Sequence, residues 1–188
     1  MKPIWIILIV IGIIAVFLVG WFISGLNYVV VLDEAVTASW SQVENQLQRR
    51  NDLVPNLVTT VKGYASHESS LFTEVAKLRS QWTNADTRQD KIKAAEGMGG
   101  IMSRLLLVAE NYPQLKANQN FLSLQAQLEG TENRIAVERN RYNRAVQTYN
   151  SYIRTIAGSI FAAIRGINRP AEYFEADAAS KAVPKVEF

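Results

Sequence analysis

One uncharged apolar run, Ile4 to Ile23, constrains this chain more than anything else in it. It holds only Ile, Val, Leu, Trp, Phe, Ala and two glycines. A bilayer core is crossed by roughly 20 such residues in a helix. A cleaved leader has a shorter apolar region, about 7–15 residues, followed by a small-residue site. Here the run is longer and closes on Gly20-Trp21-Phe22-Ile23, without an Ala-x-Ala site. Trp5 and Trp21 stand near its two ends, where interfacial aromatics collect. Residues 1–26 are therefore expected to form a single-pass N-terminal anchor that meets the lipid bilayer through residues 4–23. A buried core helix would need protein on every side, which a segment at the start of the chain is poorly placed to receive.

Charge around the run suggests an orientation. Lys2 precedes it, whereas Asp33, Glu34 and Glu44 follow, with no Lys or Arg until Arg49. The positive-inside tendency then places the N-terminus in the cytoplasm and the rest of the chain outside, at a bacterial inner membrane.

Composition excludes several function classes. The chain has no cysteine, which removes disulfide frameworks, thiolate zinc sites, Cys nucleophiles and lipoprotein acylation. Its 20 basic residues are interspersed with 17 acids for a net charge of +3. Without a basic run there is no large phosphate-neutralising surface, so nucleic acid is not an expected partner.

Beyond the anchor the apolar spacing is helical throughout, and strand alternation and Asn-Gly or Asp-Gly turns are missing. Val36, Trp40, Val43, Leu47, Val54, Leu57 and Val61 recur at three- and four-residue steps, with Arg50 in the missing slot. This first helix should grow out of the anchor. At Pro55 it should either kink near Arg50–Asp52 or restart with Asp52 as cap; the unbroken phase favours the kink. Gly63 should loosen its end. A second helix is expected from about Ser66 to Trp82, and a third from about Thr87, with Asp86 as its cap, to Asn111. Gly97, Gly99 and Gly100 in the third either allow close packing or break it. Tyr112-Pro113 stops it.

The fourth helix carries the clearest signal. Phe121, Leu128, Ile135, Tyr142, Tyr149 and Ile156 fall in a heptad row, with Leu124, Val146 and Ile153 as companions at the ends. Sustained heptads indicate coiled-coil-like packing. Asn118–Ile156 would span roughly 58 Å and Asn27–Lys62 about 54 Å. The two long helices should pair antiparallel, with the shorter two as a hairpin against them. The fold class is all-α: a single N-terminal transmembrane helix, then an antiparallel four-helix bundle over residues 27–157. Residues 158–188 form an apolar base segment and a loosely ordered tail after Pro170.

Two groups of residues are candidates for function. In the middle of the fourth helix the companion row turns polar, at Gln125, Glu132 and Arg139. Antiparallel pairing brings Arg50 towards Glu132, with Asn56 and Asn133 nearby. Such a cluster acts either as a buried ion pair that fixes helix register or as a polar patch that recognises a partner. The second group is Ile160, Phe161, Ile164 and Ile167. If the first helix leaves the membrane, the end of the fourth returns to it, and these residues either contact the membrane or a partner or fold over the base of the bundle.

No set of residues has the spacing of a catalytic or metal site. His67-Glu68 lacks the second histidine of a zinc-protease helix, position 71 being Leu. Ser69 and Ser70 are only sequence neighbours of His67, so the histidine is expected on the surface at a helix start. Asp33-Glu34 are adjacent and point to different faces. No cofactor and no metal are expected.

The stretch Ala38-Ser39-Trp40-Ser41-Gln42-Val43-Glu44, followed by Gln46-Leu47-Gln48-Arg49-Arg50-Asn51-Asp52-Leu53-Val54-Pro55-Asn56-Leu57-Val58, resembles the signature of the LemA family. So do Val61-Lys62-Gly63-Tyr64-Ala65, His67-Glu68 and Ala109-Glu110-Asn111-Tyr112-Pro113-Gln114-Leu115-Lys116-Ala117. The likeness continues through Thr131-Glu132-Asn133, Ile135-Ala136, Arg139, Tyr142-Asn143 and Tyr149-Asn150. It departs after Ile153, where family members usually show a Phe-Pro pair and this chain has Arg154-Thr155-Ile156. The resemblance implies a bacterial membrane protein with a four-helix bundle behind one anchor, and no established activity. It also implies a link to membrane organisation or envelope quality control, since relatives are often encoded beside a heat-shock-type membrane metalloprotease and one branch serves magnetosome formation. Family members are described with the bundle in the cytoplasm as well. The expected function is a non-enzymatic scaffold or adaptor that forms a homo-oligomer. The alternative is an accessory or regulatory partner of an envelope protease or stress response, with a membrane protease as partner.

Overall fold

The computed structural model describes residues 2–174, with side chains from Ile4 onward. Six helices and no strand occur among them: α1 Lys2–Lys62, α2 Ser69–Thr83, α3 Arg88–Glu110, α4 Pro113–Lys116, α5 Gln119–Ile153 and α6 Ile156–Arg165. The apolar run and the amphipathic stretch behind it are one helix. Pro55 lies inside α1 without ending it. Because proline has no N–H, the Asn51 carbonyl one turn earlier loses its helical partner. Asp52 does not cap a new helix; its carboxylate accepts from Gln48 Nε2 within α1 at 2.8 Å.

Several boundaries differ from expectation for local reasons. Helix α2 starts at Ser69, three residues late, because Ala65 to Glu68 are taken up by turns. Thr87, not Asp86, caps α3: its backbone is extended and its hydroxyl accepts from Asp90 N at 3.1 Å. Helix α3 passes unbroken through its three glycines, and at Gly97 a Cβ would stand 2.8 Å from the Leu78 side chain, so the glycine serves close approach to α2. Helix α5 stops at Ile153. Thr155 turns extended there and its hydroxyl accepts from Gly158 N at 3.0 Å, starting a separate helix. Ile156, expected to continue the buried heptad row, is instead 87% exposed at the start of α6.

The chain divides into two compact units. The first combines α1 up to Trp40 with Arg141–Tyr173. Val29, Leu32, Val36 and Trp40 are buried at helical spacing, and so are Tyr142, Val146, Tyr149 and Ile153 on α5. Trp40 packs edge-on to Tyr142 at 5.5 Å and Tyr28 to Tyr152 at 4.8 Å. Those pairings set the two helices antiparallel within this unit. The run Ile4 to Ile23 is long and apolar enough to cross a membrane, and its large side chains are exposed.

The second unit combines Ser41–Asn140 with Phe174. Its core takes Val54, Leu57 and Val61 from α1, Leu71 and Val75 from α2, and Met98, Ile101, Met102 and Leu105 from α3. Leu115, Phe121 and Leu128 close it from α4 and α5. Helices α2 and α3 pack directly on one another, as the expected hairpin requires. Lys91 pairs with Glu44, and Trp82 Nε1 donates to Gln48 Oε1 at 3.1 Å, tying the far end of the hairpin to α1.

Candidate functional site

Within the second unit, Arg50 is buried at an otherwise apolar position of α1, with its side chain 6% exposed. Its guanidinium donates through Nη1 to Glu132 Oε1 at 2.9 Å and through Nη2 to the Ala95 carbonyl at 2.6 Å. One arginine thus reaches α5 and α3 together. Glu132 is half-exposed, at 47%, so the pair is sealed only at its arginine end. Arg139 lies two turns further along α5, its guanidinium 4.1 Å from the centre of the buried Phe174 ring. A small pocket of about 100 Å³ lies among Arg50, Glu132, Arg139 and Phe174.

Asn133 stays beside Glu132, whereas Asn56 stands apart from this pair. Asn133 is exposed and lines a wider cleft of about 470 Å³ between α3 and α5, together with Gly99, Met102, Leu106, Leu128 and Glu132. Asn56 is exposed, about 9 Å along α1 from Arg50 and on another face. Glu132 therefore does two things: one oxygen neutralises the buried arginine, and the half-exposed carboxylate rims an open cleft. Such a group can accept a hydrogen bond from a docking partner without dismantling the ion pair. Asn51, next to Arg50, is buried with its Oδ1 unpartnered.

The apolar base segment is split by its own helix. Phe161 is buried and packs against Trp21 at 5.3 Å and Phe22 at 5.6 Å. Its ring fills the place above Gly25, where a Cβ would come within 2.1 Å of it. Ile160 and Ile164 are exposed, and Ile167 is intermediate, its N–H donating to the Ala162 carbonyl beyond the left-handed Gly166 that ends α6. The segment thus folds over α1 with one face and leaves the other uncovered.

One grouping of polar side chains was not anticipated. The residues after α6 are tied down. Tyr149 OH donates to the carbonyls of Ile167 at 2.6 Å and Arg169 at 3.1 Å. Asn150 makes a reciprocal pair with Ala171, its Nδ2 donating to the carbonyl and its Oδ1 accepting from the N–H, both at 2.8 Å. Tyr142 OH donates to the Glu172 carbonyl at 2.7 Å. The stretch expected to be loose after Pro170 is therefore a strap along α5 as far as Tyr173, and residues 175–188 lie outside the described residues. Burial pushes the Tyr149 phenol above its ordinary pKa, and the nearby Asp33 carboxylate pushes the same way. The signal for the strap was present: a tyrosine in a buried heptad row must find an acceptor for its hydroxyl.

His67 is exposed, and among the described residues no group of three or more His, Cys, Asp or Glu side chains is placed to hold a metal ion.

Comparison with known proteins agrees with the motifs. The profile of the LemA family matches residues 39–188. The chain is 29% identical over 175 residues to Magnetosome protein MamQ 2 of Paramagnetospirillum magneticum, covering 79% of this chain and 64% of that protein. It is 26% identical over 174 residues to Magnetosome protein MamQ of Magnetospirillum gryphiswaldense, with the same coverage of 79% and 64%. Protein LemA of Metamycoplasma hominis is 23% identical over 116 residues, covering 61% of this chain and 53% of that protein. The chain thus spans less than two thirds of the length of these relatives.

Proposed function

This chain belongs to the LemA family, and from that premise we propose that it is a membrane-anchored, non-enzymatic scaffold or adaptor that self-associates at a bacterial inner membrane. The observation that carries the proposal is α1 itself. One uninterrupted helix joins an exposed apolar run to segments buried in folded helical cores. A helix of that kind holds a folded module close to a bilayer and confines it to two dimensions, where weak self-association becomes effective. Gly12 and Gly20 leave notches in the apolar run with nothing packed on them, suited to helix–helix contact in lipid. We read the helices after the anchor as an antiparallel four-helix bundle, lying outside the cytoplasm on the charge asymmetry around the anchor. The test is chemical cross-linking of the full chain in its native membrane, followed by sizing in nanodiscs. Cross-linked species at multiples of 21.1 kDa support a scaffold. Monomers at every protein-to-lipid ratio refute self-association.

A second reading draws on the cleft beside Glu132. Its half-exposed carboxylate supports an adaptor that grips another envelope protein, with a membrane protease as the expected class. Co-purification separates the two readings: a protease in the pull-down favours the second, and a homo-oligomer alone favours the first.

A further inference from the structure

We propose that α6 is a membrane-interface helix, clamped to the lipid-proximal end of α1 by Phe161 and inserting Ile156, Ile160 and Ile164 into the boundary between headgroups and acyl chains. Three observations carry this. Ile156, Ile160 and Ile164 recur every four residues, so they form one stripe, and they are 87%, 53% and 56% exposed. A stripe of that kind on a short apolar helix is costly in water. The depth of the stripe is set by its neighbour. Phe161 contacts Trp21 and Phe22, the two residues before the last of the apolar run, and its ring occupies the Gly25 notch. Ile160 and Ile164 lie within one helical turn of Phe161, about 5.4 Å, so they sit at the same level as the end of the run.

The third observation is charge. After Lys2, the first charged side chain on α1 is Asp33, so the whole zone contacted by α6 is uncharged. The cation of α6, Arg165, lies in its last turn, donates to Asn27 Oδ1 at 3.2 Å and is exposed. There it favours the helix dipole and can reach phosphates while the isoleucines stay in hydrocarbon. The occupant of the uncovered face is lipid rather than a second copy, because Phe161 holds that face at the level where the exposed apolar run of residues 4–23 ends. An interfacial helix buries its apolar face about 5–10 Å into this boundary.

The inference rests on the reading of residues 4–23 as membrane-spanning, and the test separates the two. The chain has no cysteine, so single cysteines can carry an environment-sensitive fluorophore. Labels at Ile156, Ile160 and Ile164 would be measured in vesicles of zwitterionic and anionic phospholipid, against a nitroxide near the headgroup end of the acyl chain and against aqueous iodide. Ile14→Cys reports on the anchor, and Leu122→Cys, exposed in the other unit, reports on water. The expected result is a fall of at least about two-fold in emission with the lipid quencher at the three isoleucines, and little response to iodide. Quenching at Ile14 combined with iodide access at the three isoleucines overturns the inference and leaves the anchor intact. Protection from both quenchers also overturns it, in favour of a second copy covering the face. A label at Ile14 that reads as aqueous overturns the anchor and the inference together. Ile156 is the most exposed of the three, so its label serves if the others disturb the helix.

Discussion

Replacing Glu132 by alanine should destabilise the fold by about 1–2 kcal/mol, between the limits for buried and exposed ion pairs. Breaking a fully buried pair costs about 3–5 kcal/mol, because a charge is left without a partner. Losing an exposed pair costs about 0–1 kcal/mol. Here Arg50 is buried and Glu132 half-exposed, and the Ala95 carbonyl still accepts from Nη2 after the carboxylate is gone. The remaining loss is that of one charge-assisted hydrogen bond with incomplete resolvation of the guanidinium. Arg50→Met behaves differently. It keeps most of the volume and removes the charge that must be desolvated, so its effect is about 0–1 kcal/mol in either direction. In that background Glu132→Ala should cost almost nothing more, giving a coupling of about 1–2 kcal/mol. The assay is urea unfolding of the full chain in micelles, followed by helical circular dichroism and tryptophan emission. A Glu132→Ala variant as stable as the parent in both backgrounds refutes the structural role. If that variant also loses a co-purifying partner, the carboxylate serves recognition at the cleft instead.

Asn150→Ala removes both hydrogen bonds to Ala171 and should cost about 1–2 kcal/mol, with faster cleavage by a glutamyl endopeptidase after the exposed Glu172; unchanged cleavage would mean the strap does not depend on this pair. The Tyr149 phenol has its pKa raised above 10.0, first by burial and then by Asp33. Its contribution to stability is therefore fully present below pH about 10 and is lost as pH rises through the raised value. Absorbance titration of the parent against Tyr149→Phe should show one phenol ionising late, and a difference spectrum at the ordinary pKa would contradict this. Phe161→Ala should cost about 3–5 kcal/mol of local stability by emptying a buried ring site, read as faster amide exchange across α6. Exchange as slow as in the parent would show that α6 is held by something else.

How much of this architecture could be read from the residues depended on whether the signal was periodic or local. The steps of three and four from Val36 to Val61 and the heptad row from Phe121 to Tyr149 mark the faces that the structure buries. Arg50 and Glu132 could be paired in advance because each interrupts an apolar row near the middle of its helix. Asn56 could not be placed as well, since six further residues carry it round to another face. The break after Ile153 was hidden because Ile156 continues the apolar phase, while the residue that ends the helix, Thr155, acts through one capping hydrogen bond. Phe161 and the isoleucines beside it have the same apolar character, and only the notch at Gly25 decides which is buried. The strap after α6 depends on tyrosine hydroxyls and one amide finding backbone carbonyls far along the chain, a partnership without a spacing rule.

The most direct test of the membrane account is a reporter active only outside the cytoplasm, fused after Phe188 and assayed in membranes washed with alkaline carbonate. The account predicts an active reporter that stays in the washed pellet, held by residues 4–23. Activity released into the wash would contradict the anchor, and an inactive reporter retained in the pellet would contradict the orientation drawn from Lys2 and the acids at Asp33, Glu34 and Glu44.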